Sequence, residues 1–347
     1  MKHFLPLWAL YFSVASYAAA QDISVKYAEG ISTESLRADL SYLASDELEG
    51  RETSKAGQYT AARFIAGKFK EIGLQPIVDL DGHKSYFQWF EVAAKGKRMK
   101  LLKPGEELPD GFERRASMNV LGYLEGSSKK DEVVVITAHY DHIGISADGQ
   151  INNGADDDGS GTSAVIEIAR AFAKAKAEGH GPARSILFMT VAGEEKGLLG
   201  SSYYTDVKPV LPLDKLVCDL NIDMIGRKDK HHDTDNYLYL IGADKISTEL
   251  DEISKSTNEK YGHFALDYTY NDEKDPNRFY YRSDHYNFAK NGIPVIFYFT
   301  GVHEDYHKPG DDIDKILFPK YTRIVRLIFH TAWEVANRDK RLEKDKL

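Results

Sequence analysis

The chain of 347 residues holds a single cysteine, Cys218, so no disulfide can form within it. Its stability must rest on a buried core and on any metal it takes. Cys218 itself sits in the apolar run "KLVCDLNIDM" and reads as a small buried residue. Positive charge is also scarce. Lys and Arg number 45 against 54 Asp and Glu, a formal net charge of -9, which speaks against a nucleic-acid binder. The sequence has no internal repeats and no low-complexity linker. Its N-terminal apolar run, Phe4 to about Val14, is short of the ~20 residues of a membrane helix. That run follows Lys2 and His3 and precedes Ala18, Ala19 and Ala20, the pattern of a secretory signal peptide cut after Ala20. Residues 1–20 are therefore expected to be removed, and no cysteine follows the cut to carry a lipid. The mature chain, 21–347, is expected to be exported to the periplasm or beyond the cell, without a membrane anchor.

What is present is enough sequence for one large α/β domain. Leu36, Leu40 and Leu43 keep helical spacing behind a cap at Ser32 or Thr33. A second helix is expected from about Gln58 to Glu71, stopping at Gly73. These belong to an N-terminal helical segment of about 21–92. The stretch "AAKGKRMKLLKPGEELPDGFERR" is polar and reads as irregular with at most a short edge strand. Beyond it the pattern is regular: "VVVITA", "SILFMTVA", "LVCDLNI", "YLYLI" and "PVIFYFT" are apolar strands, and helices are expected over about Ser160–Lys176 and Tyr321–Val335. Alternating strands and helices predict a three-layer α/β/α domain, its sheet mixed but mostly parallel.

His or carboxylate residues follow four of these strands. His139 and Asp141 come after "VVVITA", Glu194 and Glu195 after "SILFMTVA", Asp223 after "LVCDLNI", and His307 beyond "PVIFYFT". Parallel strands would bring these ends to one rim, where open α/β sheets bind ligands. The glycine-rich run "INNGADDDGSGTSA" falls on the same rim, with Asp156, Asp157 and Asp158 side by side. Two imidazoles and several carboxylates suit zinc, with Co²⁺ or Mn²⁺ as substitutes, and are too many for one four-coordinate ion. They fit a pair of ions bridged by one carboxylate.

The motifs "TAHYDHIG", "NNGADDDGSGTSA", "AGEEKGLLGS", "NIDMIGR", "YRSDHYNF" and "DYHKPGDD" resemble, in order, those of metallopeptidase family 28. These are the two-zinc aminopeptidases related to glutamate carboxypeptidase. The resemblance runs over nearly the whole mature chain and implies the zinc-dependent exopeptidase fold. It implies Asp156 as the bridging ligand, His139 and Asp223 completing one site, and Glu195 and His307 the other. Asp141 would orient His139, Glu194 would be the general base, and Tyr280 or Tyr306 would serve the oxyanion. Asp157 would follow a cis peptide bond. Peptides are the implied substrates. The related single-zinc glutaminyl cyclases, and carboxypeptidases or dipeptidases of this fold, are the alternatives. Only 26 positions separate Val92 from Asn119, so a protease-associated domain is not expected there. His142 and His285 lie within motifs but are expected to pack or to support rather than to bind metal. His231 and His232 are expected at an exposed loop, and "NDEKDPN" as a solvated one.

Overall fold

In the computed structural model, which describes residues 22–347, the chain opens with helices α1 (Ile23–Ala28), α2 (Thr33–Leu43) and α3 (Ala56–Ile72). The leader expected at residues 1–20 lies outside the described residues. Ser32 caps α2 by accepting the N–H of Ser35, and α3 ends at Gly73, whose φ of 87° is left-handed. Leu36, Leu40 and Leu43 of α2 and Ala62, Ile65 and Phe69 of α3 are buried, as the helical spacing requires.

A small hairpin, β1 (Val78–Leu80) and β2 (His83–Ser85), leads into the main sheet. Its nine strands are β3 (Phe87–Lys95), β4 (Arg98–Leu102), β5 (Glu113–Leu124), β6 (Lys129–His139), β7 (Arg184–Val191), β8 (Leu216–Ile222), β9 (Tyr237–Ile241), β10 (Ala265–Asp267) and β11 (Val295–Phe299). The spatial order is β10-β9-β11-β8-β6-β7-β5-β3-β4. The middle strands β11, β8, β6 and β7 pair in parallel. On one side β5, β3 and β4 run antiparallel, and on the other β9 opposes β11. The sheet is thus mixed: parallel through its middle and again between β9 and β10 at one edge. The segment expected to be irregular with a short edge strand holds the end of β3, the edge strand β4, an irregular stretch over 103–112 and the start of β5. Met99 and Leu102 of β4 are buried while Arg98 and Lys100 are exposed. A half-solvated antiparallel strand alternates in this way and lacks the continuous apolar run that marks a central strand.

Helices cover both faces. α4 (Gly161–Ala177), α6 (Thr248–Thr257) and α8 (Phe318–Asn337), with α1 to α3, pack over Val134, Ile136, Phe188 and Leu220. Tyr204, just past α5 (Leu199–Ser202), and Phe288 of α7 (His285–Ala289) pack over Val133, Val135, Leu187 and Met189. Val133 to Ile136 therefore alternate between two cores, so both sides of β6 are apolar. Cys218 is buried in the middle of β8.

Candidate metal centre

The four parallel strands finish on one rim. His139 is the last residue of β6, Asp223 follows β8, and Glu194 and Glu195 follow β7 behind Gly193, whose φ is 78°. His307 lies in the loop after β11, and Asp157 in the tight turn Ala155–Ser160 that enters α4. His139 Nε2 is 3.2 Å from Asp157 Oδ1, 3.7 Å from Asp223 Oδ1 and 4.0 Å from Glu194 Oε2. His307 Nε2 is 3.2 Å from Asp157 Oδ2 and 3.2 Å from Glu195 Oε2. One carboxylate, that of Asp157, thus sets an oxygen beside each imidazole.

The aspartate that faces both imidazoles is thus Asp157, one residue after the Asp156 expected from the resemblance. Asp156 is turned away from the cluster: its Oδ1 accepts the N–H of Gly226 and its Oδ2 faces His303 Nε2 at 3.3 Å. Its own N–H donates to Asp311, and Asp311 fixes the loop by accepting from Asp157 as well. The cis peptide bond joins Asp157 to Asp158, again one residue later than expected. Three adjacent aspartates leave the register open to a sequence reading; only the path of the turn decides which one faces the rim. Asp158 clamps the ends of three segments, accepting N–H groups of His139, Gly161 and Met224. Asp141 also differs from expectation. Its backbone carbonyl, not its carboxylate, meets His139 Nδ1, at 3.0 Å, and the nearer carboxylate oxygen stands 3.9 Å off. The carboxylate accepts instead from the Thr53 hydroxyl and the Glu194 N–H.

The structure separates the two tyrosines. Tyr306 stacks on His307, ring centroids 3.8 Å apart, and its hydroxyl accepts from Arg282 at 3.3 Å. It lines a cleft shared by His139, Asp157, Glu194, Asp223 and His307, with Met224, Phe279, Phe297, Phe299 and Val302 as an apolar wall. Tyr280 packs instead against His285, Tyr281 and Tyr286 and is not part of the cleft. His232 is only half exposed, held between Asp229 and Asp267 and stacked on Tyr237.

Two supports carried no signal of their own in the sequence. Arg51 is fully buried under the turn and donates to the carbonyls of Leu43, Tyr140, Asn153 and Gly154. Its charge lies near Asp157, Asp158, Asp311 and Asp141. The second support is a hydrogen-bond relay to Asp223. Ser283 Oγ donates to Asp223 Oδ2 at 2.7 Å, Asn221 Nδ2 donates to Ser283, and Asn221 Oδ1 accepts from Thr137. Thr137 Oγ1 also lies 2.8 Å from Asp219 Oδ1. Thr137 has one hydroxyl proton for these two acceptors and serves one of them at a time. Burial, with Asp284 adding to it, pushes Asp219 well above the usual carboxylate range, against the hydrogen bond from Thr137. Ser283→Ala is expected to weaken metal affinity about 10- to 100-fold, the usual cost of removing a ligand's partner. Chelator competition measures it, and an unchanged affinity would remove the orienting role of the relay.

Burial lowers the proton affinity of both imidazoles, but their carboxylate neighbours outweigh it. His139 is raised well above the ordinary value by Asp223, Glu194 and Asp157, and His307 is raised to about 10 by Asp157 and Glu195. Without metal these rings hold protons that a cation must displace. Apparent zinc affinity is therefore expected to rise with pH up to about 10, with proton release on binding. Titration calorimetry in buffers of different ionisation heat checks this; uptake without proton release would contradict it.

The residues fit divalent cations. His142 Nδ1, Asp157 Oδ2 and Glu195 Oε1 are buried, close together and without hydrogen-bond partners. Such atoms are costly to bury unless something binds them. His139, Asp158 and Asp223 form a second group of ligand-type atoms within 4.8 Å of one another. Fold and site together define a class, an α/β domain that gathers metal-ligand side chains on the rim of its parallel strands.

Comparison with known proteins makes this specific. The model of peptidase family M28 matches residues 119–332, well over half of the chain. The chain belongs to that family. Aminopeptidase YwaD of Bacillus subtilis (strain 168) is 29% identical over 237 residues, covering 66% of this chain and 47% of that protein. The chain spans about half the length of the curated relatives it matches. The aminopeptidase from Aneurinibacillus sp. strain AM-1 has the same fold, with a TM-score of 0.66 at 15% identity over 92% of this chain and 97% of that one. A Bacteroides thetaiotaomicron glutaminyl cyclase has it too, with a TM-score of 0.60 at 17% identity over 89% and 99%.

Proposed function

We propose that this chain is an exported zinc-dependent aminopeptidase that removes N-terminal residues from peptides, with one catalytic domain over residues 21–347. Two Zn²⁺ ions would be held by His139, Asp157 and Asp223 on one side and by Asp157, Glu195 and His307 on the other. Co²⁺ or Mn²⁺ would be workable substitutes. The observation that carries the reading is Asp157, whose two oxygens each lie 3.2 Å from a different imidazole.

When bound, such ions polarise a peptide carbonyl and lower the pKa of water. The chain's own residues do the rest. Glu194 lines the cleft beside Asp157 and takes the proton of the attacking water, then returns it to the leaving amine. The Tyr306 hydroxyl, at the opening beside His307, donates to the oxygen that gains charge. Met224, Phe279, Phe297, Phe299 and Val302 receive the side chain of the residue being removed and exclude water from it. Among the described residues no helix is long and apolar enough to cross a membrane.

The test is direct. The mature chain should hydrolyse aminoacyl-nitroanilides, spare N-acetylated peptides and carry two zinc ions by elemental analysis. Cyclisation of a glutaminyl peptide with one zinc ion would move the assignment to the cyclases of this fold. Trimming from the C-terminus, or cleavage of dipeptides alone, would make it a carboxypeptidase or dipeptidase.

A further inference from the structure

The sequence "AHYDHIG" sets His142 three residues after His139, where packing would suffice to explain it. The structure gives it different surroundings. His142 is fully buried, and neither ring nitrogen has a hydrogen-bond partner among the described residues. Its Nδ1 lies 2.9 Å from Glu195 Oε1 and 3.8 Å from Asp157 Oδ2. Those two oxygens are themselves without hydrogen-bond partners. A separation of 2.9 Å is ample for a hydrogen bond, yet the atoms are not aligned for one. The ligand-type atoms of His142, Asp157 and Glu195 lie within 4.8 Å of one another, close enough to share one cation. Ligand atoms about 2.0–2.1 Å from a tetrahedral zinc stand about 3.3 Å apart, within the spread seen here.

Two further observations agree. His307 Nε2 meets the same pair of carboxylates, at 3.2 Å from each, and the two imidazoles approach at an interplanar angle of 70° with centroids 5.8 Å apart. The turn is also shaped around the ring. Gly154 has a φ of +58°, and a Cβ there would stand 2.6 Å from two ring carbons of His142 and 2.3 Å from the Asp157 carbonyl oxygen. The glycine of "NNGADDD" leaves room for His142 to lie beside Asp157.

We propose that His142 is a third imidazole ligand of this protein, joining Asp157, Glu195 and His307 at the second cation position. The inference rests on the metallopeptidase reading above. It makes the two positions unequal: the second would draw on His142, Asp157 and Glu195, whose ligand atoms cluster, with His307 beside the two carboxylates, whereas His139, Asp157 and Asp223 would serve the first. A position filled by protein donors behaves as a structural site, and one with three keeps a place for water or substrate. The cation beside His139 is then the first to leave when a chelator is added.

The probe is ¹¹³Cd²⁺ alone, loaded into the full mature chain carrying ¹⁵N-labelled histidine. Three imidazoles with cadmium–nitrogen coupling are expected, from His139, His142 and His307, and His142→Gln should remove one of them. Two coupled imidazoles would overturn the inference and leave the metallopeptidase reading standing; none would overturn both. The count on the unsubstituted chain holds even where the variant fails to fold. Where it folds, His142→Gln should weaken cadmium at one of the two positions at least about 10-fold and leave the other unchanged. Equal affinity at both positions in variant and parent would also overturn the inference.

Discussion

Glu194→Gln is expected to lower turnover by about 10³-fold, within the 10²–10⁴ that a positioned acid–base group contributes, while fold and metal content stay as they were. At 1.36 kcal/mol per factor of ten this is about 4 kcal/mol of barrier. Glu194 differs from its neighbour in what surrounds it. Burial and Asp157 push Glu195 up, but His142 and His307 outweigh them and hold it near 2, a carboxylate ready for a cation. Glu194 has no such partner. Burial, with Glu195, Asp223 and Asp284 around it, drives it well above the ordinary glutamate range, against the pull of His139. Two adjacent glutamates are thus pushed apart in proton affinity, the pattern that separates a ligand from an acid–base group. Glutamine keeps the volume, and the Glu194 backbone N–H still donates to Asp141, so packing survives. It cannot accept and return a proton. The measurements are kcat on an aminoacyl-nitroanilide, zinc content and melting temperature for the same preparation. A rate near that of the parent would withdraw Glu194 from the chemistry; loss of zinc would recast it as a ligand.

Much of this was legible in the sequence, and for identifiable reasons. β6, β7, β8 and β11 are buried on both faces, so their apolar runs are continuous, and the polar residue after each marks the rim. That route leads to His139, Glu194, Glu195, Asp223 and His307, which the structure places together on one rim. β3 and β4 lack such a run: Gln88 is buried and Trp89 exposed in β3, and charged Arg98 and Lys100 flank buried Met99 in the edge strand β4. At the site the difficulty was local. Asp156, Asp157 and Asp158 are chemically identical, and their different duties come from a turn whose path depends on Asp311 and Arg51, each more than a hundred residues away. His142 was passed over for a similar reason. A histidine inside a motif says nothing about where its ring points, and only the space left by Gly154 shows it. The hidden supports Thr137 and Asp219 lie within apolar strands, where a sequence offers no reason to connect them.

The adjacent aspartates make the sharpest test of the structure, because one residue separates opposite outcomes. Asp157→Asn is expected to reduce binding of both cations by more than about 100-fold, since loss of a ligand's mere supporting partner already costs up to that much. Its two oxygens serve both imidazoles, so neither position survives alone. Asp156→Asn should keep both cations and instead lose stability. Asn can still accept the Gly226 N–H but no longer offers charge to buried His303, and breaking a buried pair costs about 3–5 kcal/mol. Its pH dependence follows from His303. Burial disfavours the charged ring, yet Asp156 and Asp311 raise its pKa above the ordinary 6.5. A raised imidazole pKa stabilises the fold fully below about 6.5 and loses that contribution as pH climbs through the folded value. The deficit of Asp156→Asn against the parent should therefore be larger at pH 6 than at pH 9, read from denaturant unfolding with zinc present. Metal loss in Asp156→Asn with both ions retained in Asp157→Asn would return the bridge to Asp156 and contradict the course of the turn. Binding lost only in Asp157→Asn, with the Asp156→Asn defect confined to stability and greatest in acid, would separate a carboxylate that holds cations from one that holds the loop.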